Sequence, residues 1–488
     1  MNLQNPGTAE ETLDPADWEA MRALAHRIVD DAIDHTRDIR DRPLWQDMPA
    51  PVRAAFRGPL PQVPTALGEV YDSLTLNLMP YPMGNIHPRF WCWYMGASNF
   101  TGALGDFLAA VQGSNLGIGN HAACLIDQQV VDWCKEMVGY PATASGTLVS
   151  GGSMANILGL AIARNERTGT DVRAEGIGGA DLRFYGSDQI HSCHQKAIEL
   201  LGLGNKALRR VPSLPDFSMD VAALAAMIAQ DRAAGSKPVC VIATAGTVNT
   251  GAIDDLQAIA ALCQREALHF HVDGCIGALL AIAPRHKALV QGLERADSIA
   301  LDPHKWLHAP FEIGCALIRD AGAHRRGFAL TPEYLEVMER GIAASHHLHD
   351  YGVQTSRGFR ALKLWMAMQE HGVQKFGRLI DQNLDQAQYL TRLINDDPHL
   401  ELVAPTKINI VCFRWNPGGI SEAVLKLRNT EIMLRMQETG VAAVSDTTLH
   451  GHHCLRAAIN NHRTARDDLA FLAAEVVRIG TLLEAQNP

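Results

Sequence analysis

The stretch PVCVIATAG (residues 238–246) is a continuous apolar run rich in β-branched residues, which is typical of a buried strand. An amphipathic helical pattern follows from Asp254 to about Ala267, and two further short strands are predicted at LHFHVD (268–273) and SIAL (298–301). Apolar strands that alternate with amphipathic helices favour a parallel sheet covered by helices on both faces. The sequence therefore predicts an α/β fold whose large domain is built on a mainly parallel sheet.

A polar residue stands at or just after the carboxyl end of each of these strands. Thr247 follows the first strand, Asp273 ends the second, and Lys305 lies just beyond the third. Ligands of open α/β sheets bind at the carboxyl ends of the strands. We therefore expect these three side chains to lie at one site.

Two of these residues have a specific chemistry. Lys305 stands beside Trp306 in a partly desolvated setting, and burial lowers the pKa of a lysine and frees the lone pair that Schiff-base chemistry needs. Asp273 closes an apolar strand, where an acid is costly unless it is paired, and a protonated pyridine nitrogen is a suitable partner. The competing interpretations are a lysine in a surface loop and an acid that caps a helix or forms a salt bridge.

Two further motifs fit the same site. SGGSMAN (150–156) precedes an apolar helical run, so its backbone N–H groups form a candidate phosphate site, although it matches neither the dinucleotide nor the Walker pattern. His191 can stack on a pyridine ring and take part in proton transfer, although a structural histidine is the competing interpretation. The clusters SHHLH (345–349) and HGHHC (450–454) lack zinc-ligand spacing, so no metal site is predicted.

Composition excludes several classes of protein. The chain has 43 Lys and Arg against 53 Asp and Glu, a formal net charge of −10, so it has no broad basic surface for nucleic acid or an anionic membrane. No stretch approaches the roughly 20 apolar residues of a membrane span, and the acidic N-terminus does not resemble a signal peptide. Ten cysteines without a CxxC pattern predict reduced thiols in a cytoplasmic protein.

Three parts are predicted along the chain: an N-terminal helical segment (1–95), a large domain (96–355) and a small α+β domain (356–488). In the first, Asp14 is the expected N-cap of an amphipathic helix whose apolar face includes Trp18, Met21 and Ile28. This face packs either on its own domain or on a second subunit, and the pattern alone does not separate the two.

Together and in this order, the motifs resemble those of the group II pyridoxal-phosphate (PLP) decarboxylases. This fold-type-I family contains aromatic L-amino acid, histidine and glutamate decarboxylases. The resemblance extends over nearly the whole chain, through HPRF (87–90), SGGSMAN, SDQIHSCHQKA (187–197), ATAGTVNTGAIDDL (243–256), HVDG (271–274), ADSIALDPHKW (296–306), TPEYL (331–335), FRALKLW (359–365) and LRAAINNHRT (455–464). It implies that 96–355 is the PLP-binding domain.

The resemblance also implies roles for individual residues. Lys305 forms the internal aldimine, Asp273 pairs with the pyridine nitrogen, and His191 stacks on the ring. Tyr334 falls on the mobile catalytic loop, where the aromatic decarboxylases carry the tyrosine that protonates the substrate carbon. The remaining implied cofactor contacts are Gly152, Ser153, Thr247 and His304.

This chain departs from the family pattern at several positions. Many relatives carry Asn where Asp302 stands, close to the cofactor phosphate, and a carboxylate there repels phosphate unless it points away, so Asp302 is assigned no role. Gly96 replaces a threonine that helps to hold the substrate carboxylate. Trp93 and Tyr94 can form a wall against an aromatic ring, which favours an aromatic substrate. The candidate substrate contacts are Trp93, Tyr94, Gly96, Asn115 and His121.

The expected activity is PLP-dependent decarboxylation of an L-amino acid to its amine and CO2, through the aldimine of Lys305 and a quinonoid. The alternatives are decarboxylation with oxidative deamination to an aldehyde, a non-aromatic substrate, and a non-catalytic scaffold. Tyr334 and His191 favour simple decarboxylation, while Lys305 and Asp273 argue against a scaffold. The resemblance further implies a homodimer in which the N-terminal helix wraps onto the partner and both chains contribute to each site.

Overall fold

The computed structural model describes residues 11–330, 338–344 and 347–486 and divides the chain into two compact units. The first unit ends at Met83 and contains helices α1 (Trp18–Arg37), α2 (Ala50–Ala55) and α3 (Leu67–Asn77). Helix α1 begins after Asp17, whose carboxylate accepts hydrogen bonds from the backbone N–H groups of Glu19 and Ala20. Asp17, and not the predicted Asp14, is therefore the N-cap, because its side chain is the one that reaches these free N–H groups.

The predicted amphipathic helix is present over the 20 residues of α1, and the described residues leave none of them buried. The side chain of Trp18 is 61% exposed, and Ile28, Val29 and Ile33 on the same helix are also exposed. An apolar helix surface of this kind is typical of a region that binds another protein surface.

The second unit begins at Gly84 and contains the twelve strands of the described chain. They are β1 (Phe90–Trp91), β2 (Ser145–Val149), β3 (Leu182–Ser187), β4 (Leu208–Val211), β5 (Lys237–Thr244), β6 (His269–Asp273), β7 (Ser298–Leu301), β8 (Gly314–Ile318), β9 (Leu400–Leu402), β10 (Ile410–Trp415), β11 (Ala443–Leu449) and β12 (His452–Ala458). Its helices are α4 (Phe100–Gln112), α5 (Ala122–Met137), α6 (Gly152–Arg167), α7 (Val172–Glu175), α8 (Cys193–Leu200), α9 (Val221–Ala233), α10 (Leu256–Glu266), α11 (Pro303–Trp306), α12 (Ala321–Phe328), α13 (Ala361–His371), α14 (Val373–Asp396), α15 (Glu422–Glu438) and α16 (Arg466–Gln486).

Seven strands form the large sheet, in the order β2-β8-β7-β6-β5-β3-β4. Five neighbouring strands, β7, β6, β5, β3 and β4, run parallel, while β8 is antiparallel to both β7 and β2. Helix α6 packs against β5 to β8, and α9 and α10 pack against β5. The predicted α/β fold with a mainly parallel sheet is therefore confirmed, and β8 is the antiparallel exception.

Local sequence explains the central βαβ unit of this sheet. Strand β5 is apolar and its residues from Val239 to Ala243 are completely buried. The carboxylate of Asp255 accepts a hydrogen bond from the N–H of Ala258 at the start of α10, and Ala267 ends the helix in the left-handed conformation at φ 56°. The chain then enters β6, so that Thr244 and Asp273 face each other as register partners at the carboxyl ends of β5 and β6.

A second sheet of five strands, in the order β1-β11-β12-β10-β9, lies mainly in the C-terminal part. Its core contains fully buried Trp91, Phe413 and Trp415, and helices α14, α15 and α16 pack against its strands. Strand β1 pairs with β11, so residues 90–91 belong to this sheet, while the predicted domain boundaries at 95 and 355 stay a prediction. None of the described helices combines the length and the apolar character that crossing a bilayer requires.

Candidate active site

A cavity of about 480 Å³ opens at the carboxyl ends of β5, β6 and β7. Sequence-predicted residues that line it are Trp93, Tyr94, Gly152, Ser153, His191, Asp273, His304 and Lys305. The described part of the chain adds Thr244, Cys275, Asp302 and Glu312 to this lining, which sequence reasoning did not assign to the site. The topology therefore brings together the amine, the carboxylate and the imidazole that the motifs predicted, because each follows the end of a parallel strand or lies beside one.

Lys305 lies on the short helix α11, directly after β7. Its Nζ is 2.9 Å from Oδ2 of Asp302 and 6.0 Å from the ring centre of Tyr94. Burial is the largest single influence and acts to lower the pKa of Lys305, but acidic neighbours, chiefly Asp302 through its charge and hydrogen bond and then Asp273, together outweigh it and the pKa is raised. This direction is opposite to the one that burial alone predicts, and Asp302 makes the largest opposing contribution.

Asp273 has a buried partner that the sequence analysis did not identify. Its Oδ2 is 2.8 Å from Nε2 of His194, and its Oδ1 accepts a hydrogen bond of 3.2 Å from the backbone N–H of Cys275. Burial acts to raise the pKa of Asp273, but the hydrogen bond and charge of His194 outweigh it and the pKa is lowered. The carboxylate is therefore held in its ionised form, as a partner for a protonated ring nitrogen must be.

His191 precedes α8 and lines the same cavity. Its Nδ1 accepts a hydrogen bond of 3.2 Å from the backbone N–H of Cys193, so the neutral ring carries its proton on Nε2. Burial lowers the pKa of His191, although the charge of Asp273 acts in the opposite direction. A neutral, flat ring thus borders the cavity one helical turn from His194.

The first turn of α6 forms another wall of the cavity, at Gly152 and Ser153. A Cβ at Gly152 would lie 2.2 Å from Sγ of Cys275, so only glycine allows this close approach of the helix. The N–H groups of a helix N-terminus are suited to an anion such as a phosphate. His304 borders the same region, where its Nδ1 accepts a hydrogen bond of 3.3 Å from the N–H of Ile313.

Thr247, a predicted cofactor contact, is not among the described residues that line this cavity. It is completely buried, and its Oγ1 lies 3.0 Å from Oγ1 of Thr250 and 3.1 Å from the backbone N of Ala252. Thr244 lines the cavity instead, and its buried Oγ1 has no hydrogen-bond partner among the described residues. The strand end itself could have indicated Thr244, since it is the register partner of Asp273.

Trp93 and Tyr94 line the cavity, and Trp93 is 52% exposed at its rim. The hydroxyl of Tyr94 is held by the amide of Asn409, whose Nδ2 donates to it at 2.9 Å. A Cβ at Gly96 would stand 1.8 Å from the carbonyl oxygen of His304, so this position cannot carry a side chain without moving the backbone. Gly96 therefore allows a close approach of two segments, and its contact with a substrate stays a prediction.

Asn115 and His121 do not line the cavity among the described residues of one chain. Oδ1 of Asn115 accepts hydrogen bonds of 2.9 Å from the N–H groups of both Gly117 and Arg357. Nε2 of His121 lies 3.4 Å from Sγ of Cys124. Their substrate contact stays a prediction, as does the role of Tyr334, which lies outside the described residues.

The residues of the cavity fit PLP. An amine, an ionised carboxylate, a neutral imidazole and a helix N-terminus converge on one space, and they match the aldehyde, the ring nitrogen, the ring face and the phosphate of that cofactor. Thr244 also lines this space, and its buried hydroxyl has no partner among the described residues. A cavity of this size is within the usual range for a small ligand, roughly 300–1,000 Å³.

Potential metal ligands also occur here, since ligand atoms of Cys193, His194 and Asp273 lie within 4.8 Å of one another. Hydrogen bonds account for this arrangement, because His194 bonds to Asp273 and Asn156 donates to Cys193. The absence of a metal site stays a prediction.

Comparisons with known proteins agree with this geometry. The family model for the pyridoxal-dependent decarboxylase conserved domain matches residues 49–416. An aromatic-L-amino-acid decarboxylase of Bacillus atrophaeus is 32% identical over 476 residues, 96% of this chain and 97% of that protein. A phenylacetaldehyde synthase of Arabidopsis thaliana is 27% identical over 459 residues, 92% of this chain and 93% of that protein. The crystal structure of Oryza sativa TDC with PLP and tryptamine has a TM-score of 0.89 and 26% identity, covering 97% of this chain and 100% of that one. The chain therefore belongs to the pyridoxal-dependent decarboxylase family.

Proposed function

We propose that this protein uses PLP to decarboxylate an L-amino acid, with an aromatic L-amino acid as the substrate, and releases the amine and CO2. The observation that carries this proposal is the convergence of Lys305, Asp273 and His191 on one cavity beside the first turn of α6. Each group supplies a different part of the chemistry, and a scaffold needs none of them.

When bound, PLP supplies an electron-accepting ring that stabilises the negative charge left on carbon as CO2 departs. Lys305 is the amine placed to attach the cofactor and to give way to the amine of the substrate. Asp273 is kept ionised by His194 and would hold the proton on the ring nitrogen of bound PLP. Asp273 thereby increases the electron demand of the ring.

Other residues position the reactants. The N–H groups of Gly152 and Ser153, at the helix N-terminus, are placed to hold the phosphate, with His304 beside them. The flat ring of His191 is placed to pack over the ring of the cofactor. Once the bond to CO2 has broken, the α-carbon takes a proton, and Tyr334 is the proposed donor on the strength of the sequence resemblance.

The aromatic substrate has two supports. Trp93 and Tyr94 line the cavity and offer ring surfaces to an aromatic side chain. The 32% identical relative is an aromatic-L-amino-acid decarboxylase, and the rice structure contains tryptamine. The Arabidopsis relative is named as an aldehyde synthase, so the aldehyde product is the outcome that the experiment has to exclude.

We also propose a cytoplasmic homodimer. The apolar residues of α1 that are exposed in the described part of the chain support the dimer, because a second subunit would remove them from water. The ten buried cysteines, all of them free thiols, support a reducing compartment. Sedimentation of the purified protein tests the dimer, and a fully active monomer contradicts it.

The test of the activity is a panel of L-amino acids incubated with the holoenzyme while amine, aldehyde and CO2 are all measured. We expect amine and CO2 in equal amounts, with aromatic amino acids giving the highest kcat/KM. The Lys305→Ala variant is the control for turnover that does not depend on the site. Aldehyde as the main product, or no release of CO2 from any amino acid, contradicts the proposal.

A further inference from the structure

The carboxylate of Asp302 is an unusual group in the lining of the cavity. It is buried, with 3% of the residue exposed, and its Oδ2 forms the ion pair with Lys305 at 2.9 Å. Its Oδ1 has no hydrogen-bond partner among the described residues, and Nε2 of His304 lies 3.6 Å away. A buried carboxylate oxygen without a partner is costly, which calls for a functional reason.

A structural role of Asp302 is not enough to explain this arrangement. Asp302 occupies the N-cap position of α11, but its side chain accepts no capping hydrogen bond from that helix. The charge of the carboxylate is directed into the cavity, toward Lys305, and not into the backbone.

Asp302 also lies against the start of α6. A Cβ at Gly152 would stand 2.7 Å from Oδ2 of Asp302, and one at Gly151 would stand 3.6 Å from Oδ1. The helix N-terminus that is placed to hold the phosphate is thus already next to a fixed negative charge. A phosphate bound there would be repelled by Asp302, since like charges at short range in a buried site are screened poorly.

We propose that Asp302 sets a limit on how tightly this protein holds PLP: its carboxylate neutralises Lys305 when the cofactor is absent and opposes the cofactor phosphate when PLP is bound. The cofactor then exchanges more readily than it would from a site with a neutral side chain at this position. The inference rests on the proposed function for the identity of the cofactor.

The test is the affinity of the cofactor-free full chain for PLP and for pyridoxal, which lacks the phosphate, in the wild type and in Asp302→Asn. The asparagine keeps the shape of the side chain and removes its charge. We expect PLP to bind at least about tenfold more tightly to the variant, equivalent to about 1.4 kcal/mol, and pyridoxal to gain less than about threefold. Quenching of intrinsic fluorescence measures both affinities without turnover.

Glu312→Gln is the matched control, because Glu312 lines the same cavity but is paired with Arg360 at 2.9 Å. Removing this second negative charge should leave the affinity for PLP unchanged within about twofold. An equal gain in both variants overturns the proposal, because the effect then comes from the net charge of the cavity.

Thermal unfolding supplies a second measurement and a check on folding. Without cofactor, Asp302→Asn should melt at a lower temperature than the wild type, because Lys305 loses its buried counter-ion. Added PLP should then raise the melting temperature of the variant by more than that of the wild type. Asp302→Ala gives a second neutral side chain should the asparagine variant fail to fold.

Three results overturn the proposal: unchanged or weaker binding of PLP by the neutral variants, equal gains for PLP and pyridoxal, and an equal gain in Glu312→Gln. If neither the wild type nor any variant binds PLP, the proposed function fails together with the inference. If PLP binds to the wild type and the variants do not bind it more tightly, only the role of Asp302 is refuted.

Discussion

Lys305 and Asp273, on the cofactor side of the cavity, have buried partners at 2.9 and 2.8 Å, whereas Trp93, on the substrate side, is 52% exposed. The cofactor side is built from strand ends and the first turn of α6, which the sheet holds in place. The candidate residues of the substrate side lie in loops, and Asn115 is engaged in holding a loop. We therefore expect the chemistry to be fixed by the sheet, and substrate choice to depend on segments that the sheet does not hold.

The largest effect is expected from Lys305→Ala, which removes the amine of the cofactor side. Decarboxylation should fall by at least about 1000-fold, because the cofactor loses its covalent attachment. The visible absorbance of the bound cofactor should change, and circular dichroism should still report a folded protein. A cofactor adduct that borohydride can still reduce in the variant would assign the attachment to another residue.

Asp273→Asn keeps the shape of the carboxylate and removes its charge. We expect kcat to fall by about 100-fold, while the melting temperature changes little, because the ring nitrogen loses the group that holds its proton. A loss of less than about tenfold, or roughly 1.4 kcal/mol of barrier, would mean that some other group is the partner of the ring.

Tyr334→Phe tests the proton donor, which rests on the sequence alone. If its hydroxyl protonates the substrate carbon, amine formation should fall by about tenfold or more in the variant. Dioxygen then reacts with the electron-rich carbon, and aldehyde, ammonia and peroxide appear in place of amine. The measurement is the ratio of amine to aldehyde in air. An unchanged ratio and rate would leave Tyr334 as a packing residue and move the donor role to His191 or a water.

His194→Leu tests whether Asp273 depends on its buried hydrogen-bond partner, His194. The pKa of Asp273 is lowered by His194 against the effect of burial, so without this hydrogen bond the pKa should rise. The acid limb of the kcat/KM profile should therefore move to higher pH, with a loss of about fivefold at neutral pH. His194→Gln keeps a donor and should restore most of the activity, and a profile unchanged in both variants contradicts the role.

The smallest effect is expected from Trp93→Ala, on the substrate side. KM for aromatic substrates should rise by about fivefold, since one aromatic contact contributes about 1 kcal/mol. The affinity for PLP should not change, and Trp93→Phe should keep most of the binding. An equal change in the affinity for PLP would show that the two sides of the cavity are not separable.

The contrast between the cofactor side and the substrate side of the cavity also explains which features could be predicted from the sequence. The strands at 238–246, 268–273 and 298–301 were predicted within a few residues, because continuous apolar runs and the capped helix between them leave few alternatives. The sheet then accounts for the meeting of Lys305, Asp273 and His191 at one cavity. Their catalytic roles stay predictions.

Side-chain partners were harder to predict. His194 lies inside a recognised motif, but a histidine in a sequence does not reveal that its Nε2 reaches a carboxylate 79 residues away. The ion pair between Asp302 and Lys305 depends on the turn of α11, and the resemblance left Asp302 without a role. Asn115 carries a polar group that equally suits a substrate or a loop, and the sequence does not show that its Oδ1 accepts hydrogen bonds from two backbone N–H groups.

The close approach at Gly96 has a consequence for attempts to redesign specificity. A side chain at this position would meet the carbonyl oxygen of His304, so the loop that carries Trp93 and the backbone that carries Lys305 touch without room between them. Grafting a threonine from a relative onto position 96 would therefore push the two backbones apart before it could contact any substrate. We therefore expect a change of specificity to need the whole loop, together with the backbone it rests on, and not a single residue.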